Sequence, residues 1–164
     1  MKWAENDELF RSFVKEGHAW QLMPYTFLKL SGFDVEMPSL TIRDDIKNAH
    51  NWLQSYDLKI DDKVIEVKSR KVKFTGPSDW PHSRLPAFLD AKKKWDAKTT
   101  KPFAYIFISK DTGSMVSTCG LASAHKRWGE TTQFDRDRQI EETWYTVDRQ
   151  HLVTMDKLVA ALRS

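Results

Sequence analysis

Apolar residues recur at helical spacing along the amino-terminal part of the chain. The first stripe consists of Trp3, Phe10, Phe13 and Val14. This pattern predicts a helix over Trp3–Glu16, which Gly17 interrupts. A second helix is predicted to run to about Leu30, where a Ser-Gly pair ends it. Because Pro24 is tolerated only near a first helical turn, this second helix is expected to start within His18–Met23.

Two short segments beginning at Tyr56 have the pattern of strands. They are Tyr56–Ile60 and Val64–Arg70. Between them, Asp61 and Asp62 predict a turn, since aspartate side chains bond their own backbone and tolerate the left-handed conformation. Phe33–Glu36 is a further candidate strand, whereas residues 43–53 fit either a helix or an extended segment.

A polar, proline-broken loop over 75–84 precedes two strongly apolar segments. Leu85–Lys98 is predicted to be a helix with its lysines outward and an apolar face made of Leu85, Phe88, Leu89 and Trp95. Phe103–Ser109 is a continuous apolar run, which is typical of a strand covered on both faces. A turn at Asp111–Gly113 then leads into a neighbouring strand, Met115–Thr118.

The carboxyl-terminal part has a weaker pattern. Gly120–Glu142 is charged and is predicted to be irregular, Thr143–Val147 is predicted to be a late strand, and Thr154 is expected to cap a closing helix. This order of elements predicts an α/β sandwich in which helices flank a central mixed sheet. We expect one domain over 1–164 with its core at about 17–118, an extra amino-terminal helix and a carboxyl-terminal strand-helix extension.

The composition bears on whether the protein is membrane-bound, secreted or cytoplasmic. The chain has 164 residues, of which 30% are charged, and its longest clean apolar run, Phe103–Ile108, is far too short to cross a bilayer. The first ten residues lack the basic start and apolar stretch of a signal peptide. The single cysteine, Cys119, cannot form an internal disulfide. We therefore expect a cytoplasmic protein with no membrane partner.

Basic residues are concentrated in two clusters, although the formal net charge is only +3. The clusters are Lys63, Lys68, Arg70, Lys71 and Lys73, and Lys92, Lys93, Lys94, Lys98 and Lys101. Such clusters suit a polyanion, because neutralising phosphates releases counterions. A solvated lysine surface is the alternative, and it is favoured for the second cluster taken alone.

The candidate chemistry lies on the second predicted strand. Glu66, Lys68 and Arg70 alternate with apolar residues and therefore share one face of the strand; we call them the charged row. If the Asp-Asp pair is the centre of the turn, Asp57 falls opposite Glu66. Like charges directly opposite cost roughly 0.2–1 kcal/mol, and a divalent cation between them would turn this repulsion into a binding site. Few, hard oxygen ligands favour Mg²⁺, with Mn²⁺ as the alternative.

The acid-x-lysine pattern is weak by itself, because the chain contains it at several further positions. These are Asp57-x-Lys59, Asp61-x-Lys63, Asp90-x-Lys92 and Asp96-x-Lys98. The last two fall on a predicted helix and are interpreted as solvated charge. Glu66-x-Lys68 differs because it lies in a β-branched strand with an acid placed on the neighbouring strand.

Tyr56-Asp57, followed after eight residues by Glu66-Val67-Lys68, resembles the motif of the PD-(D/E)xK nuclease superfamily, which includes restriction endonucleases and Holliday junction resolvases. Tyr56 stands where the superfamily has proline. The resemblance implies a restriction-endonuclease-like fold in which Asp57, Glu66 and the carbonyl of Val67 hold Mg²⁺. It further implies that Lys68 serves the water that attacks phosphorus.

The upstream helix extends this resemblance, which covers about Gly17 to Ser109. Many members carry a glycine, then an acid on a helix, and a second glycine before the core strands; Gly17, Gln21 and Gly32 fall at these places. Gln21 stands where glutamate is usual. It is therefore a candidate catalytic residue, and Glu16, the nearest carboxylate, is the alternative.

Candidate nucleic-acid contacts follow the motif strand. They are Arg70, Lys71, Lys73, Trp80, His82 and Arg84. Trp80 either stacks on an unpaired base or packs into the core. The same two interpretations apply to the stretch His125–Trp128. The five histidines show no i, i+4 pair and, with one cysteine, do not indicate a zinc site.

These features together predict a Mg²⁺-dependent hydrolase that cleaves DNA phosphodiester bonds, most naturally as an endonuclease. RNA is not excluded as a substrate. A homodimer is expected on chemical grounds only, since cutting both strands of a duplex takes two such sites. Two alternatives stay open: a catalytically inactive nucleic-acid-binding module that keeps the fold, and a subunit of a larger assembly that docks through Gly120–Glu142.

Overall fold

The computed structural model describes residues 7–38, 56–136 and 138–164. Its helices are α1 (Asp7–Leu30), α2 (Lys92–Ala97), α3 (Ala122–His125) and α4 (Met155–Arg163). Its strands are β1 (Leu58–Ile60), β2 (Lys63–Arg70), β3 (Ala87–Ala91), β4 (Ala104–Ser109), β5 (Met115–Cys119), β6 (Gly129–Asp135), β7 (Ile140–Val147) and β8 (Val153–Thr154). Trp3 and the predicted segment 43–53 lie outside the described residues.

Helix α1 is continuous, so the predicted interruption at Gly17 is wrong. A glycine inside a helix costs about 1 kcal/mol relative to alanine, which is too little to end it when the helix packs on a sheet. Pro24 also lies inside α1, where it removes one helical hydrogen bond. The end of the helix is as predicted. Gly32 has a φ of 95°, and the N–H of Phe33 donates to the carbonyl of Leu28 at 3.2 Å, as in a Schellman cap.

Five strands form the central sheet in the order β1-β2-β4-β5-β8. β2 and β4 are parallel and the other neighbours are antiparallel, which confirms the predicted mixed sheet. The predicted strands Phe103–Ser109 and Met115–Thr118 correspond to β4 and β5, and every residue of β4 is buried. The predicted strand Phe33–Glu36 is reduced to one bridge between Glu36 and Lys59.

The hairpin of β1 and β2 has the predicted register. Ile60 pairs with Lys63, and Leu58 pairs with Ile65. Asp61 enters the turn with a φ of 54°, the left-handed conformation that aspartate tolerates. Because a slip of one residue would reverse every side chain, this register decides which residues of β2 face the candidate site.

A second, antiparallel sheet has the order β3-β7-β6. It was not predicted from the sequence. The helix predicted over Leu85–Lys98 is wrong in its first half, because Ala87 pairs with Val147 and Phe88 with Thr146 across β3 and β7. Apolar runs this short fit a helix or a strand equally well, so tertiary pairing decides between them. Gly120–Glu142, predicted to be irregular, contains α3, β6 and the start of β7.

Two hydrophobic cores lie on opposite sides of the central sheet. The first joins α1 and α4 to the sheet through Leu28, Ile65, Ile106, Ile108 and Leu158. The second lies between the two sheets and contains Phe74, Trp80, Leu89, Tyr105 and Phe107. Glu66 pairs with Tyr105, and Lys68 with Phe107, in the β2–β4 ladder. The charged row therefore faces the space between the two sheets.

The closing helix is as predicted. The hydroxyl of Thr154 accepts a hydrogen bond from the N–H of Lys157 at the start of α4, and Leu158, Val159 and Leu162 are buried against the central sheet. The predicted late strand is part of β7. Among the described helices, none combines the length and apolar character that a bilayer-crossing segment requires.

Candidate active site

The open end of the β1–β2 hairpin brings two acidic residues together. Asp57 directly precedes β1, and continuing the observed pairing by one position sets it opposite Glu66. The Asp57 Oδ2 accepts a hydrogen bond of 2.7 Å from the backbone N–H of Val67. Glu66 is only 6% exposed. The hairpin register thus places two carboxyl groups side by side in a largely dry position.

Helix α1 supplies a third polar group. The Gln21 Nε2 donates to the Oδ1 of Asp57 at 3.0 Å, so both oxygens of this carboxyl group are held. An amide also carries an oxygen with two lone pairs, which Gln21 can present to another donor or to a cation. Glu16, the alternative considered from sequence, instead pairs with Lys110 at 2.6 Å. The structure therefore brings Gln21, and not Glu16, to Asp57.

The second sheet adds an acidic residue that sequence reasoning missed. Asp90 lies near the end of β3 and is 1% exposed, so its interpretation as solvated helical charge is wrong. Its Oδ1 lies 3.1 Å from the Nζ of Lys68, and its Oδ2 lies 2.9 Å from the Nζ of Lys98. The hydroxyl of Tyr105 also donates to Oδ2, at 2.7 Å. Asp90 is the centre of a buried charge network.

Lys98 links this network to the hairpin. It follows α2, and its Nζ lies 2.6 Å from the Oε1 of Glu66 as well as within reach of Asp90. Its interpretation as part of a solvated helix is wrong for the same reason as for Asp90. The resulting order is Glu66, Lys98, Asp90, Lys68, in which each acid touches at least one ammonium group. We call these four side chains the buried network.

One feature of the sequence indicates that a second layer covers the central sheet, but it does not locate the buried network. The continuous apolar run of β4 predicts cover on both faces of the central sheet, and a single amino-terminal helix can cover only one of them. A second layer was therefore required, and β3, within the segment predicted as the Leu85–Lys98 helix, forms part of it. The position of Asp90 inside that layer depends on the β3–β7 pairing, which no local pattern determines.

The two carboxyl groups of the hairpin titrate differently. Burial, together with the neighbouring charge of Glu66, raises the pKa of Asp57 to about 6. For Glu66, burial alone would raise the pKa, but the ammonium groups of Lys68 and Lys98 outweigh it and hold the pKa below its usual value. Glu66 is therefore the anion of the pair, and Asp57 is the member that gains a proton first.

Asp90 and Lys98 are also held in their charged forms. Burial would raise the pKa of Asp90, but Lys68, Lys94 and Lys98 overcome this and lower it strongly. The pKa of Lys98 is raised, because its carboxylate partners outweigh the effect of burial. Burial and the nearby Asp90 raise the pKa of Tyr105 well above its usual value, so its phenol stays a donor.

The predicted backbone contacts extend from the charged row. Arg70 closes the row and donates from Nη1 to the carbonyl of Ser69 at 3.0 Å. Lys71 and Lys73 follow and are exposed. They alternate with Val72 and Phe74, which are buried in the second core. The two lysines therefore point away from the space that the charged row faces, into solvent.

The loop after β2 contains both buried and exposed side chains. Trp80 is 2% exposed, stacks on Phe74 with ring centroids 4.9 Å apart and donates to the carbonyl of Arg84, so the reading in which it stacks on a base is wrong. His82 and Arg84 are exposed. His125 and Trp128 also pack inward, with His125 stacked on Trp95 at 4.9 Å and Trp128 edge-on to Trp95 at 5.2 Å.

The available donor set is small. Within residues 7–38, 56–136 and 138–164, no group of three or more histidine, cysteine, aspartate or glutamate side chains is arranged to hold a metal ion. The hairpin offers two carboxyl groups, the Val67 carbonyl and the Gln21 amide. Such a set of few, hard oxygen donors fits Mg²⁺, which keeps several waters and takes substrate oxygens, better than it fits a metal that needs a complete protein cage.

Comparison of the chain with models of known protein families, with curated protein sequences and with solved structures found no significant match.

Proposed function

We propose that the protein is a Mg²⁺-dependent nuclease that hydrolyses DNA phosphodiester bonds on a restriction-endonuclease-like fold. One observation carries the proposal: the hairpin register sets Asp57 beside Glu66, with Lys68 two residues further along the same face of β2. Apposed carboxyl groups repel each other and do not stabilise a sheet. Their presence is accounted for when the pair binds a cation.

The metal ion would be held by Asp57, Glu66 and the carbonyl of Val67, with Gln21 beside them. When bound, Mg²⁺ supplies a Lewis acid that polarises the phosphoryl oxygen and activates water. Glu66 already attracts a cationic group, since the Nζ of Lys98 lies 2.6 Å from it. Mn²⁺ would serve the same donors, because it also prefers carboxylate and carbonyl oxygens.

Lysine and arginine side chains would position the substrate. Lys68 is fixed by Asp90 at 3.1 Å and is placed to orient the attacking water and to donate to the charge that develops on the phosphoryl oxygens. Because its support is a buried strand, little reorganisation is needed during the reaction. Arg70, Lys71 and Lys73 would hold neighbouring phosphates, which fixes the position of the strand without reading its sequence.

A cleavage assay tests the proposal. Supercoiled, linear, single-stranded and branched DNA are incubated with Mg²⁺, Mn²⁺ or Ca²⁺; cleavage is expected with the first two, and binding alone with Ca²⁺. Glu66→Gln and Lys68→Ala should each abolish turnover, while Lys73→Ala, which removes the same charge at an exposed position, should weaken binding only. Wild-type rates in Lys68→Ala would refute the role of Lys68, and uncleaved DNA in every form would refute the proposal.

A binding module without catalysis is the second candidate. Two observations favour it: Gln21 stands where an acid is usual, and Lys98 already neutralises Glu66. In that case the wild-type protein binds DNA with equal affinity with and without divalent cations. Glu66→Gln would then leave binding unchanged, whereas a nuclease would lose its dependence on the cation.

A further inference from the structure

A cavity of about 310 Å³ opens beside the end of the charged row. Its walls come from β2, the loop before β3, β3 itself and β6, and they include Arg70, Arg84, Phe88, Trp80, Thr131 and Gln133. The volume lies at the lower end of the range found for small-molecule sites. We call this space the Arg70 cavity.

The charged side chains that line the Arg70 cavity are positive. Among the residues that the structure describes, Arg70 and Arg84 line it, and no aspartate or glutamate does. Arg70 forms no ion pair with the carboxylates in the described part of the chain, and its hydrogen bond is to the carbonyl of Ser69. Burial lowers the pKa of Arg70, and the charge of Asp90 offsets this only in part. Such a position attracts an anion.

The cavity also has the groups that hold a nucleobase. Phe88 presents an aromatic ring, fixed edge-to-face against Trp144 with centroids 6.1 Å apart. The side chains of Thr131, Gln133 and Arg84 line the space and form no hydrogen bond with any described residue. An aromatic surface with free donors and acceptors around it is how proteins hold unstacked bases.

The Arg70 cavity lies close to Lys68, which is proposed to act in catalysis. Arg70 follows Lys68 by two residues on the same face of β2, which places their Cα atoms about 7 Å apart. A second cavity of about 230 Å³ adjoins it; it shares Arg70 and Phe88 with the first and is also lined by Asp135, so the net positive charge is confined to the Arg70 cavity. A nucleic-acid strand whose phosphate contacts Lys68 therefore has its neighbouring nucleotide at the entrance to the Arg70 cavity.

We propose that the Arg70 cavity binds one unpaired nucleotide next to the phosphate that is cleaved, with its phosphate at Arg70 and Arg84 and its base against Phe88. A base inside a duplex is stacked and paired and cannot enter. This inference rests on the proposed function and narrows its substrate class to nucleic acids with single-stranded or flipped-out positions at the cut site.

Equilibrium binding in Ca²⁺, which prevents turnover, tests the inference. The probes are fluorescently labelled DNAs of equal length: one single-stranded, one duplex with a single-stranded extension, and one blunt duplex. Phe88→Leu keeps the apolar volume but removes the ring, and Arg84→Ala removes a charge. Each should weaken binding of the first two probes on the order of tenfold, as expected for one lost stacking or phosphate contact, and change binding of the blunt duplex less than twofold.

The matched control is Lys157→Ala, which removes one positive charge from α4 on the opposite side of the central sheet. It should change no probe by more than twofold. A scan of abasic sites through the single strand should find one position where loss of the base weakens wild-type binding but not Phe88→Leu binding. Melting curves verify that each variant is folded.

The outcomes separate this inference from the proposed function. Mg²⁺-dependent cleavage that disappears in Glu66→Gln, combined with equal binding of all probes by wild type and Phe88→Leu, would overturn the cavity proposal alone. A uniform loss of affinity for all three probes in Arg84→Ala would reduce that residue to a general backbone contact and would also overturn it. A wild-type protein that neither binds nor cleaves DNA would overturn both.

Discussion

Removing the charge of Asp90 should destabilise the fold far more than an ordinary acidic substitution. Asp90 is 1% exposed and is bound by Lys68 at 3.1 Å, by Lys98 at 2.9 Å and by the Tyr105 hydroxyl at 2.7 Å. In Asp90→Asn the shape is kept, but two enclosed ammonium groups lose their shared carboxylate. Removal of one partner from a buried pair costs about 3–5 kcal/mol, because the other charge stays desolvated.

The measurement is a urea titration and a thermal melt of wild type and Asp90→Asn without metal. For a chain of this length, each kcal/mol shifts Tm by roughly 2–4 °C, so the variant should melt about 6–20 °C lower. Asp62→Asn, in the exposed hairpin turn, is the control and should stay within about 0.5 kcal/mol of wild type.

A double variant separates the ion pair from general damage to the core. Lys98→Met removes one of the stranded ammonium groups, so Asp90→Asn with Lys98→Met should be more stable than the sum of the two single effects predicts. A loss below about 1 kcal/mol in Asp90→Asn is the size seen for solvent-exposed pairs. That result, or strict additivity in the double variant, would refute the buried network.

The remaining predictions concern Asp57 and Gln21. Because burial and Glu66 raise the pKa of Asp57 to about 6 from 3.8, its contribution to stability is present below the lower value and is lost as the pH rises through about 6. Metal-free Asp57→Asn should therefore be at least as stable as wild type at pH 8 but not at pH 4, and melts at both pH values check this. Mg²⁺ at a hundredfold excess over Kd should stabilise wild type by about 2.7 kcal/mol and the variant much less; equal shifts would show that Asp57 is not a ligand. Gln21→Glu should tighten Mg²⁺ binding in calorimetry, whereas Gln21→Leu should slow cleavage; unchanged values in both would remove Gln21 from the site.

The hairpin was predictable because its determinants are local. The Asp-Asp turn sets the register, and the alternation of β2 then decides the face of every residue that follows. Ile65 packs into the first core while Glu66 faces the second sheet, as the pattern of period two requires. Continuing the register to Asp57 needed no tertiary information.

The second sheet was not predictable in the same way. Ala87–Ala91 has an apolar pattern that fits one helical turn or a short strand, and β3 exists because β7 pairs with it more than fifty residues later in the chain. The burial of Asp90 follows from that pairing and from three lysines that approach it from β2 and the α2 region. Long-range pairing of this kind leaves no signal in the local sequence.

The charges around the hairpin bear on the proposed role of Asp57 as a metal ligand. Three carboxyl groups, Asp57, Glu66 and Asp90, share a buried region with the ammonium groups of Lys68 and Lys98, which are each 15% exposed. Lys94 also reaches Asp90, at 3.6 Å, so carboxyl and ammonium groups are equal in number around the network. Glu66 and Asp90 touch the lysines, and the pKa of each is lowered. The pKa of Asp57 is instead raised, chiefly by burial and then by the charge of Glu66. If a cation took the place of a proton on Asp57, it would remove the repulsion between Asp57 and Glu66, and the hydrogen bonds from Gln21 and from the Val67 N–H would hold the Asp57 oxygens in place for it.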